Sequence, residues 1–306
     1  MMKLSPKMII ICVAVAIAVV TVLLITFGGG LGVPTWKQVF SQAGLGKISQ
    51  TEGDLTVHFI DVGKADSIFI NSGDHNILID AGLESINKIT EGYLKERDVE
   101  KLDLVIATHQ DKDHIGDMSG IIKDFQVADF WMPMIPAKLI PNTACYNQLT
   151  VALENKGLKT TQPQVGHIYT YGDIKLQVIA PVLDDYSDIN NYSIAVKLTY
   201  GENTFLLMGD VMEKSEKDIL KLGEDIKADV LKVGHHGSDT GTTEDFLQAV
   251  SPRYAVICVG ENDNGLPKKS VVKRLEKAEI SVYRTDEDGT VVFSSDGKKL
   301  TVITEK

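Results

Sequence analysis

Residues 108–114 read Thr-His-Gln-Asp-Lys-Asp-His and come directly after the apolar run Leu-Asp-Leu-Val-Ile-Ala at residues 102–107. The apolar run has the length and composition of a buried strand, and the polar residues stand where that strand would end. The side chains there that can bind a cation are His109, Asp111, Asp113 and His114. Imidazole and carboxylate groups together suit zinc, manganese or iron. The alternative is a solvated loop after the strand, but such a loop does not require four of these groups within six residues. The stretch therefore predicts a metal site at the edge of a β-sheet.

Three further loops at predicted strand ends carry similar groups. They contain Asn190 and Asn191 before the run 193–200, Asp210 after the run 204–208, and His235, His236 and Ser238 after the run 229–233. Each loop alone has an ordinary explanation, since asparagines favour turns and a pair of histidines is often a surface feature. Because all of them repeat the arrangement at residues 108–114, we expect the loops to contribute to one site.

The order of predicted elements indicates an α/β fold with two mixed sheets flanked by helices, an αβ/βα sandwich. The predicted strands are 55–61, 67–71, 76–80, 102–107, 128–132, 174–180, 193–200, 204–208, 229–233, 254–259 and a closing group between 280 and 303. The predicted helices are 85–97, 115–125, 143–156, 213–222, 243–250 and 268–278. Asp80, at the end of the third strand, could orient a ligand, but strand-end capping is the favoured interpretation.

The N-terminal segment predicts a membrane anchor. Residues 8–27 carry no charge, and about twenty apolar residues match the thickness of a bilayer core. Lys3 and Lys7 precede this run, so the positive-inside rule puts the rest of the chain outside the cytoplasm. A cleaved signal peptide, giving a secreted protein, is the alternative. We expect a single-pass transmembrane helix at 1–28, a glycine-rich linker at 29–53 and a globular domain at 54–306.

Charge and cysteine content limit the partners that the chain could have. A formal charge of −11 disfavours a protein that holds nucleic acid by overall electrostatics. A compact basic patch contains Lys268, Lys269, Lys273 and Arg274, and it is either a solvated helix face or a path for phosphates in which Lys268 and Lys269 bind substrate. Cys145 and Cys258 are predicted to be buried thiols without a disulfide.

The motifs resemble those of the metallo-β-lactamase fold, and more closely the extracellular hydrolase domain of ComEC, the competence channel for DNA uptake. The resemblance rests on His-x-Asp-x-Asp-His at 109–114, Gly-Asp ending at Asp210, His-His-Gly-Ser at 235–238, Phe-Ile-Asp-Val-Gly at 59–63 followed by Asp66-Ser67, and Val-Tyr-Arg-Thr-Asp at 282–286. It covers about residues 55–306. The chain departs from the family in having Lys64-Ala65 for the usual Gln-Gly and Leu266 for the usual histidine.

This resemblance implies a hydrolase with two divalent metal ions, Zn²⁺ or Mn²⁺. One ion would be held by His109, Asp111 and Asn191, and the other by Asp113, His114 and His235, with Asp210 bridging them. Asp113, His114 and Asp210 would be the catalytic residues, while His236 and Ser238 would bind substrate, although His236 is also an alternative ligand. The carboxylate of Asp111, where many relatives have histidine, favours manganese.

Three functions follow as hypotheses. The first is an extracytoplasmic, membrane-anchored phosphodiesterase, with DNA as a candidate substrate. The second is a hydrolase of cell-envelope phosphodiesters, such as phosphorylcholine esters. The third is a catalytically silent surface module that binds a partner, suggested by Leu266 and Lys64-Ala65, although a binding module has no reason to keep a costly charge cluster. No obligate protein partner is expected.

Overall fold

Two mixed β-sheets form the centre of the protein, whose computed structural model describes residues 54–84 and 88–306. The strands are β1 (Leu55–Phe59), β2 (Ile68–Ser72), β3 (His75–Ile79), β4 (Lys101–Ile106), β5 (Gln126–Trp131), β6 (Thr160–Thr161), β7 (Ile168–Tyr171), β8 (Ile174–Ala180), β9 (Ala195–Tyr200), β10 (Asn203–Leu207), β11 (Val230–Lys232), β12 (Tyr254–Ile257), β13 (Ser281–Arg284), β14 (Val291–Ser295) and β15 (Leu300–Thr304). The first sheet has the order β15-β14-β1-β2-β3-β4-β5-β6, and the second has the order β13-β12-β11-β10-β9-β8-β7.

Helices cover the outer faces of both sheets. They are α1 (Ile89–Lys95), α2 (Lys112–Ile115), α3 (Met118–Asp124), α4 (Ala144–Lys156), α5 (Glu213–Leu222), α6 (Glu244–Val250), α7 (Lys269–Lys277) and α8 (Thr285–Asp288). One apolar core lies between the sheets, a second joins the first sheet to α1, α3 and α4, and a third joins the second sheet to α5, α6 and α7. This four-layer arrangement confirms the predicted sandwich of two mixed sheets with flanking helices.

Parallel strands bring the polar loops to one edge of the sandwich. In the first sheet β3, β4 and β5 are parallel, and in the second β10, β11 and β12 are parallel. The carboxyl ends of parallel strands share an edge, so the loops after β3, β4, β10 and β11 lie together. The backbone N–H of Ile194 donates to the carbonyl of Thr108 at 2.8 Å and connects the two sheets at this edge.

Gly209, directly after β10, allows the two sheets to approach each other closely here. Its φ of 54° is in the left-handed region, and a Cβ would lie 2.9 Å from Cβ of Thr108. A larger residue would therefore be both strained and in steric conflict with the loop that follows β4. Glycine at this position fixes the separation between residues 108–114 and Asp210.

Two predicted elements match the structure residue for residue, and the others differ in their bounds. Strand 174–180 and helix 213–222 have the predicted bounds. The predicted helix 115–125 was wrong as a single element, because the chain forms α2 and α3 on either side of Gly116. A Cβ on Gly116 would lie 2.0 Å from the backbone N of Glu84, so this glycine is needed for a close backbone contact. Strands β6 and β7 were not predicted.

The predicted anchor at 1–28 and the linker at 29–53 lie outside the described residues. Within the portion that the structure describes, we find no helix with both the length and the hydropathy needed to cross a bilayer.

A buried histidine couples the first sheet to its helical cover. His58 in β1 places Nδ1 2.9 Å from the hydroxyl of Tyr93 and Nε2 2.8 Å from the hydroxyl of Thr56. Burial, assisted by the charge of Arg97, lowers the pKa of His58 to about 3. The folded protein therefore keeps this imidazole neutral at pH values where the unfolded chain protonates it.

We predict that His58 makes folding sensitive to mild acid. Between pH 6.5 and 3 the unfolded chain binds more protons than the folded protein at this site, so stability falls as pH falls. From pH 7 to pH 5 the free energy of unfolding should drop by about 2 kcal/mol more in the wild type than in His58→Gln. Urea unfolding of chelator-treated protein at both pH values measures this difference, and equal losses in the two proteins would contradict the assignment.

Candidate metal centre

One carboxylate, Asp210, faces the ring nitrogens of four histidines. Its Oδ2 lies 3.3 Å from Nε2 of His114, 3.6 Å from Nε2 of His236, 3.8 Å from Nε2 of His235 and 4.0 Å from Nε2 of His109. Asp210, His109, His114 and His236 are all buried, and they come from the segments that directly follow β4, β10 and β11, with His114 in α2. The loops predicted from sequence to share a site are therefore together.

Asp80 sets the orientation of His114. Its Oδ2 lies 2.7 Å from Nδ1 of His114 and accepts a 2.7 Å bond from the hydroxyl of Thr108, while Oδ1 accepts the backbone N–H of Thr108 at 2.8 Å. A proton on Nδ1 of His114 is thereby held toward Asp80, and Nε2 is directed at Asp210. The favoured interpretation of Asp80 as a simple strand-end cap was incomplete, because its carboxylate also positions a histidine.

His236 is oriented in the same way by a backbone carbonyl. Its Nδ1 donates to the carbonyl oxygen of Cys258 at 2.9 Å, and its Nε2 lies 3.5 Å from Oδ2 of Asp113. Asp113, His114 and His236 each offer one ligand atom, and these atoms lie within 4.8 Å of one another. These three side chains form one candidate ligand group, to which Asp210 is adjacent.

His109 marks the other half of the site. Its Nε2 lies 3.6 Å from Oδ2 of Asp111, a carboxylate that is 40% exposed, and 4.0 Å from Asp210. Its Nδ1 is 3.2 Å from the hydroxyl of Thr108 and 3.4 Å from that of Ser193, which also accepts the backbone N–H of Asp210. This half of the site has one imidazole, whereas the other has two, and its remaining side chains carry oxygen atoms. Its solvent-exposed member is Asp111.

The two adjacent histidines take different places. Both have backbone φ near +50°, a conformation that is unusual for residues other than glycine and that turns their side chains apart. His236 is fully buried within the ligand group, whereas His235 retains 22% side-chain exposure, and its Nδ1 lies 2.9 Å from the hydroxyl of Thr240. The geometry thus favours His236 over His235, the residue expected from the resemblance, as the buried metal ligand.

The two adjacent asparagines also differ. Oδ1 of Asn191 accepts the backbone N–H of Ser215 at the start of α5, at 3.2 Å, so this amide holds a helix in place. Asn190 instead lies at the site, with Nδ2 3.4 Å from Nε2 of His235 and a buried Oδ1 that has no hydrogen-bond partner. The geometry therefore favours Asn190 over Asn191, the residue expected from the resemblance, as an oxygen donor to a cation.

A buried lysine that we did not predict, Lys232, contacts the backbone next to Asp210. Lys232 in β11 has no solvent exposure, pairs with Asp66 and donates to the carbonyl of Gly209 at 3.1 Å. Burial alone would lower the pKa of Lys232, but the Asp66 carboxylate outweighs it and raises the pKa above the usual value. Because Gly209 precedes Asp210, this ammonium fixes the backbone that carries the central carboxylate.

The residues around Asp210 suit divalent metal ions, because several of their buried nitrogen and oxygen atoms have no hydrogen-bond partner within the protein. Within the described residues, Nε2 of His109, His114 and His236, Oδ1 of Asp210 and Oδ1 of Asn190 are buried without a hydrogen-bond partner. Unpaired buried polar atoms are costly, so a convergent group of them indicates a missing ligand. Nitrogen and carboxylate donors at this spacing suit zinc, manganese or iron.

The imidazoles and carboxylates of the centre shift one another's pKa values. Burial lowers the pKa of His236, but Asp210, Asp113 and Asp66 outweigh it and raise the pKa to about 9. For Asp210, burial acts upward and is outweighed by His236 and His114, so its pKa lies well below the usual range. Metal binding would displace these imidazole protons.

The remaining predicted residues lie in the turn after β11 and at the start of α7. Ser238 accepts from the hydroxyl of Thr240 at 3.0 Å and belongs to the turn that carries His235. Lys268 donates its backbone N–H to the carbonyl of Gly237, while its ammonium bonds the carbonyl of Asn264 at 2.7 Å. Lys269 is exposed at the start of α7. Substrate binding by Ser238, Lys268 and Lys269 stays a prediction.

A four-layer αβ/βα sandwich with histidines and carboxylates at the shared strand edge is typical of the metallo-beta-lactamase superfamily, whose members are generally metal-dependent hydrolases. The chain belongs to the metallo-beta-lactamase superfamily, whose family model matches residues 60–261. Both the predicted resemblance and the predicted fold are therefore confirmed at this level.

Competence proteins are among the relatives of the chain. ComE operon protein 3 of Bacillus subtilis (strain 168) is 30% identical over 262 residues, which are 79% of this chain and 33% of that protein. Competence protein ComA of Neisseria gonorrhoeae is 26% identical over 279 residues, which are 89% of this chain and 37% of that protein. The chain thus spans about a third of the length of these relatives.

A solved structure shares the fold at low sequence identity. CmlA, a diiron β-hydroxylase from Streptomyces venezuelae, matches with a TM-score of 0.52 and 13% identity, covering 83% of this chain and 59% of that chain. At this identity the similarity shows the fold alone.

We predict that replacing Lys232 with methionine destabilises the protein by about 3–5 kcal/mol, because it leaves the buried Asp66 carboxylate without its cation. Adding Asp66→Asn should recover part of this loss, since the uncompensated charge is then gone. Lys197→Met is the matched control: its partner Asp225 is exposed, so the cost should be about 1 kcal/mol or less. Urea unfolding measures all four proteins, and equal costs for Lys232→Met and Lys197→Met would contradict the role of Lys232.

Proposed function

We propose that this chain is a metal-dependent phosphodiesterase that uses two divalent ions, Mn²⁺ or Zn²⁺, with DNA as the leading candidate substrate. The observation that carries the proposal is the convergence of unpaired ring nitrogens and carboxylate oxygens around Asp210. Three of the proposed donors outside the imidazoles are carboxylates and one is an amide, and such an oxygen-rich set favours harder ions such as manganese.

The geometry supports a specific division of ligands. In our proposal one ion is held by His109, Asp111 and Asn190, and the other by Asp113, His114 and His236, with Asp210 shared between them. Asn190 and His236 replace the Asn191 and His235 expected from the resemblance, because Asn191 is bonded to the backbone of α5 and His235 lies outside the buried ligand group.

Each side chain would then have a defined task. Bound divalent ions would lower the pKa of a water molecule toward neutrality and stabilise negative charge on phosphate oxygens. Asp80 and the carbonyl of Cys258 keep the Nε2 atoms of His114 and His236 directed at the centre. Lys232 holds the Gly209-Asp210 backbone, and His235 faces the open side where a substrate would enter.

The choice of substrate rests on the relatives and on charge. One relative is named as a competence protein, and competence is the uptake of DNA, which supports DNA as the substrate. The formal charge of −11 supports instead a small envelope phosphodiester, such as a phosphorylcholine ester, as the second candidate. A silent binding module is disfavoured, because it would keep several unpaired buried donors without using them.

The site of action is also a proposal. Residues 8–27 have the composition of a membrane span, and Lys3 and Lys7 precede them. We propose that this segment anchors the protein and that the hydrolase acts outside the cytoplasm.

We predict that His236→Gln abolishes hydrolysis whereas His235→Gln does not. Loss of an orienting residue beside a metal ligand typically costs 10- to 100-fold in metal affinity or activity, so loss of a ligand should exceed about 100-fold. His235→Gln should lower kcat/KM by less and should retain metal, as measured by elemental analysis. The assay uses full-length protein with Mn²⁺ or Zn²⁺ and a chromogenic phosphodiester, with Asp113→Ala as the inactive reference. If Asp113→Ala keeps wild-type activity, the assignment is wrong.

A substrate panel separates the two candidate substrates. Single- and double-stranded DNA, bis(4-nitrophenyl) phosphate and a phosphorylcholine ester should be compared at equal metal concentration. We expect DNA to be cleaved with the highest kcat/KM. Turnover of the phosphorylcholine ester without cleavage of DNA would favour the envelope function.

A further inference from the structure

Lys64 brings a positive charge to the edge of the candidate metal centre. Its ammonium pairs with Oδ2 of Asp113. The side chain of Lys64 is 24% exposed and that of Asp113 is 12% exposed, so the ammonium lies between the buried ligands and solvent.

The backbone around Lys64 is held firmly in place. The N–H of Asp66 donates to the carbonyl of Asp113 at 3.1 Å, and the N–H of Ala65 donates to the carbonyl of Gly63 at 2.9 Å. A Cβ on Gly260 would lie 2.5 Å from Cα of Gly63 and 2.7 Å from N of Lys64, so only glycine permits this contact. The loop is thus fixed on one side by the ligand loop and on the other by the segment after β12.

The two lysines at the centre have different surroundings. Lys232 has no exposure, and its ammonium is committed to Asp66 and to the carbonyl of Gly209. Lys64 reaches the solvent side with 24% of its side chain exposed, and His235, whose Nε2 lies 3.8 Å from Oδ2 of Asp210, retains 22%. Lys64 and His235 therefore both lie on the solvent side of the buried carboxylates Asp113 and Asp210.

We propose that Lys64 binds a non-bridging oxygen of the phosphate group of the substrate. This inference rests on the proposed function. Oδ2 of Asp113 pairs with the ammonium of Lys64 and also faces Nε2 of His236. Because the two groups share one oxygen atom, each weakens the interaction of the other with Asp113. If Asp113 held a cation, the ammonium of Lys64 would be released from this carboxylate and could pair with an anion that arrives from solvent. An ammonium group is a point-charge donor suited to a phosphate oxygen.

The test compares full-length, metal-loaded wild type with Lys64→Gln, which removes the charge and keeps a polar side chain, and with Lys64→Arg, which keeps the charge. Lys277→Gln is the matched control, because Lys277 is 83% exposed on α7 and has the same change of charge. After excess metal is removed, three quantities are measured: metal affinity by calorimetry, the dissociation constant of inorganic phosphate, and kcat and KM for bis(4-nitrophenyl) phosphate.

We expect Lys64→Gln to weaken phosphate binding by about 10- to 100-fold, the value of one charge-assisted hydrogen bond. KM should rise more than kcat falls, Lys64→Arg should recover much of the loss, and Lys277→Gln should match the wild type. Metal affinity of Lys64→Gln should be unchanged or tighter, because a competing partner of Asp113 has been removed. Wild-type phosphate affinity in Lys64→Gln, or weakened metal binding, would overturn the proposal.

Failure of this inference can be told apart from failure of the proposed function. If the wild type hydrolyses no phosphodiester, the proposed function fails, but phosphate binding still tests Lys64. If the wild type hydrolyses phosphodiesters and Lys64→Gln does so equally well with equal phosphate affinity, only the role of Lys64 is wrong.

Discussion

The structure depends on the burial of one carboxylate, Asp210, against the ring nitrogens of four histidines at distances of 3.3–4.0 Å. A buried ion of this kind is tolerable only if its surroundings repay the cost of desolvation. Four imidazoles face the carboxylate of Asp210. Asp80 and the carbonyl of Cys258 orient two of these imidazoles, those of His114 and His236. The ammonium of Lys232 bonds the carbonyl of Gly209, directly before Asp210. Two of the four imidazoles are therefore held in fixed directions by partners outside the group around Asp210.

The candidate metal centre lies at this edge of the sandwich because parallel strands all end at the same edge of a sheet. Each of β3, β4, β10 and β11 ends here, so four loops distant in sequence meet at one place. The close approach of Gly209 to Thr108, together with the hydrogen bond from Ile194 to Thr108, sets the distance between the two sheets. The apolar core between the sheets therefore does more than stabilise the fold, since it fixes the relative positions of the ligand loops.

The sequence predicted most of the strands and helices and the loops that meet at the candidate site, but it missed β6 and β7 and could not decide between neighbouring residues. Strand 174–180 has strong apolar alternation and helix 213–222 has a clear amphipathic face, so local pattern was enough. His235 and His236, like Asn190 and Asn191, are adjacent and chemically identical, and only the backbone conformation separates their directions. The division of residues 115–125 falls at Gly116, whose N–H donates to the carbonyl of Gly82, a contact distant in sequence that no local pattern records.

Lys232 was missed although the sequence contained a usable signal. A lysine within the apolar run 230–233 must either interrupt the strand or find a buried partner. Asp66 lies far from it along the chain, so the pairing became apparent only with the fold. A charged residue inside an otherwise apolar strand next to a ligand loop is therefore worth treating as part of the site.

Calorimetric titration of Mn²⁺ or Zn²⁺ into chelator-treated protein tests the central claim most directly. The proposed site predicts two ions per chain with micromolar or tighter affinity in the wild type. Asp210→Asn, which keeps the size of the side chain and removes its charge, should lose at least one of these ions. Asp239→Asn, an exposed change in the same turn as His235, should bind both. Absence of binding at micromolar metal in the wild type, or undiminished binding by Asp210→Asn, would contradict the account.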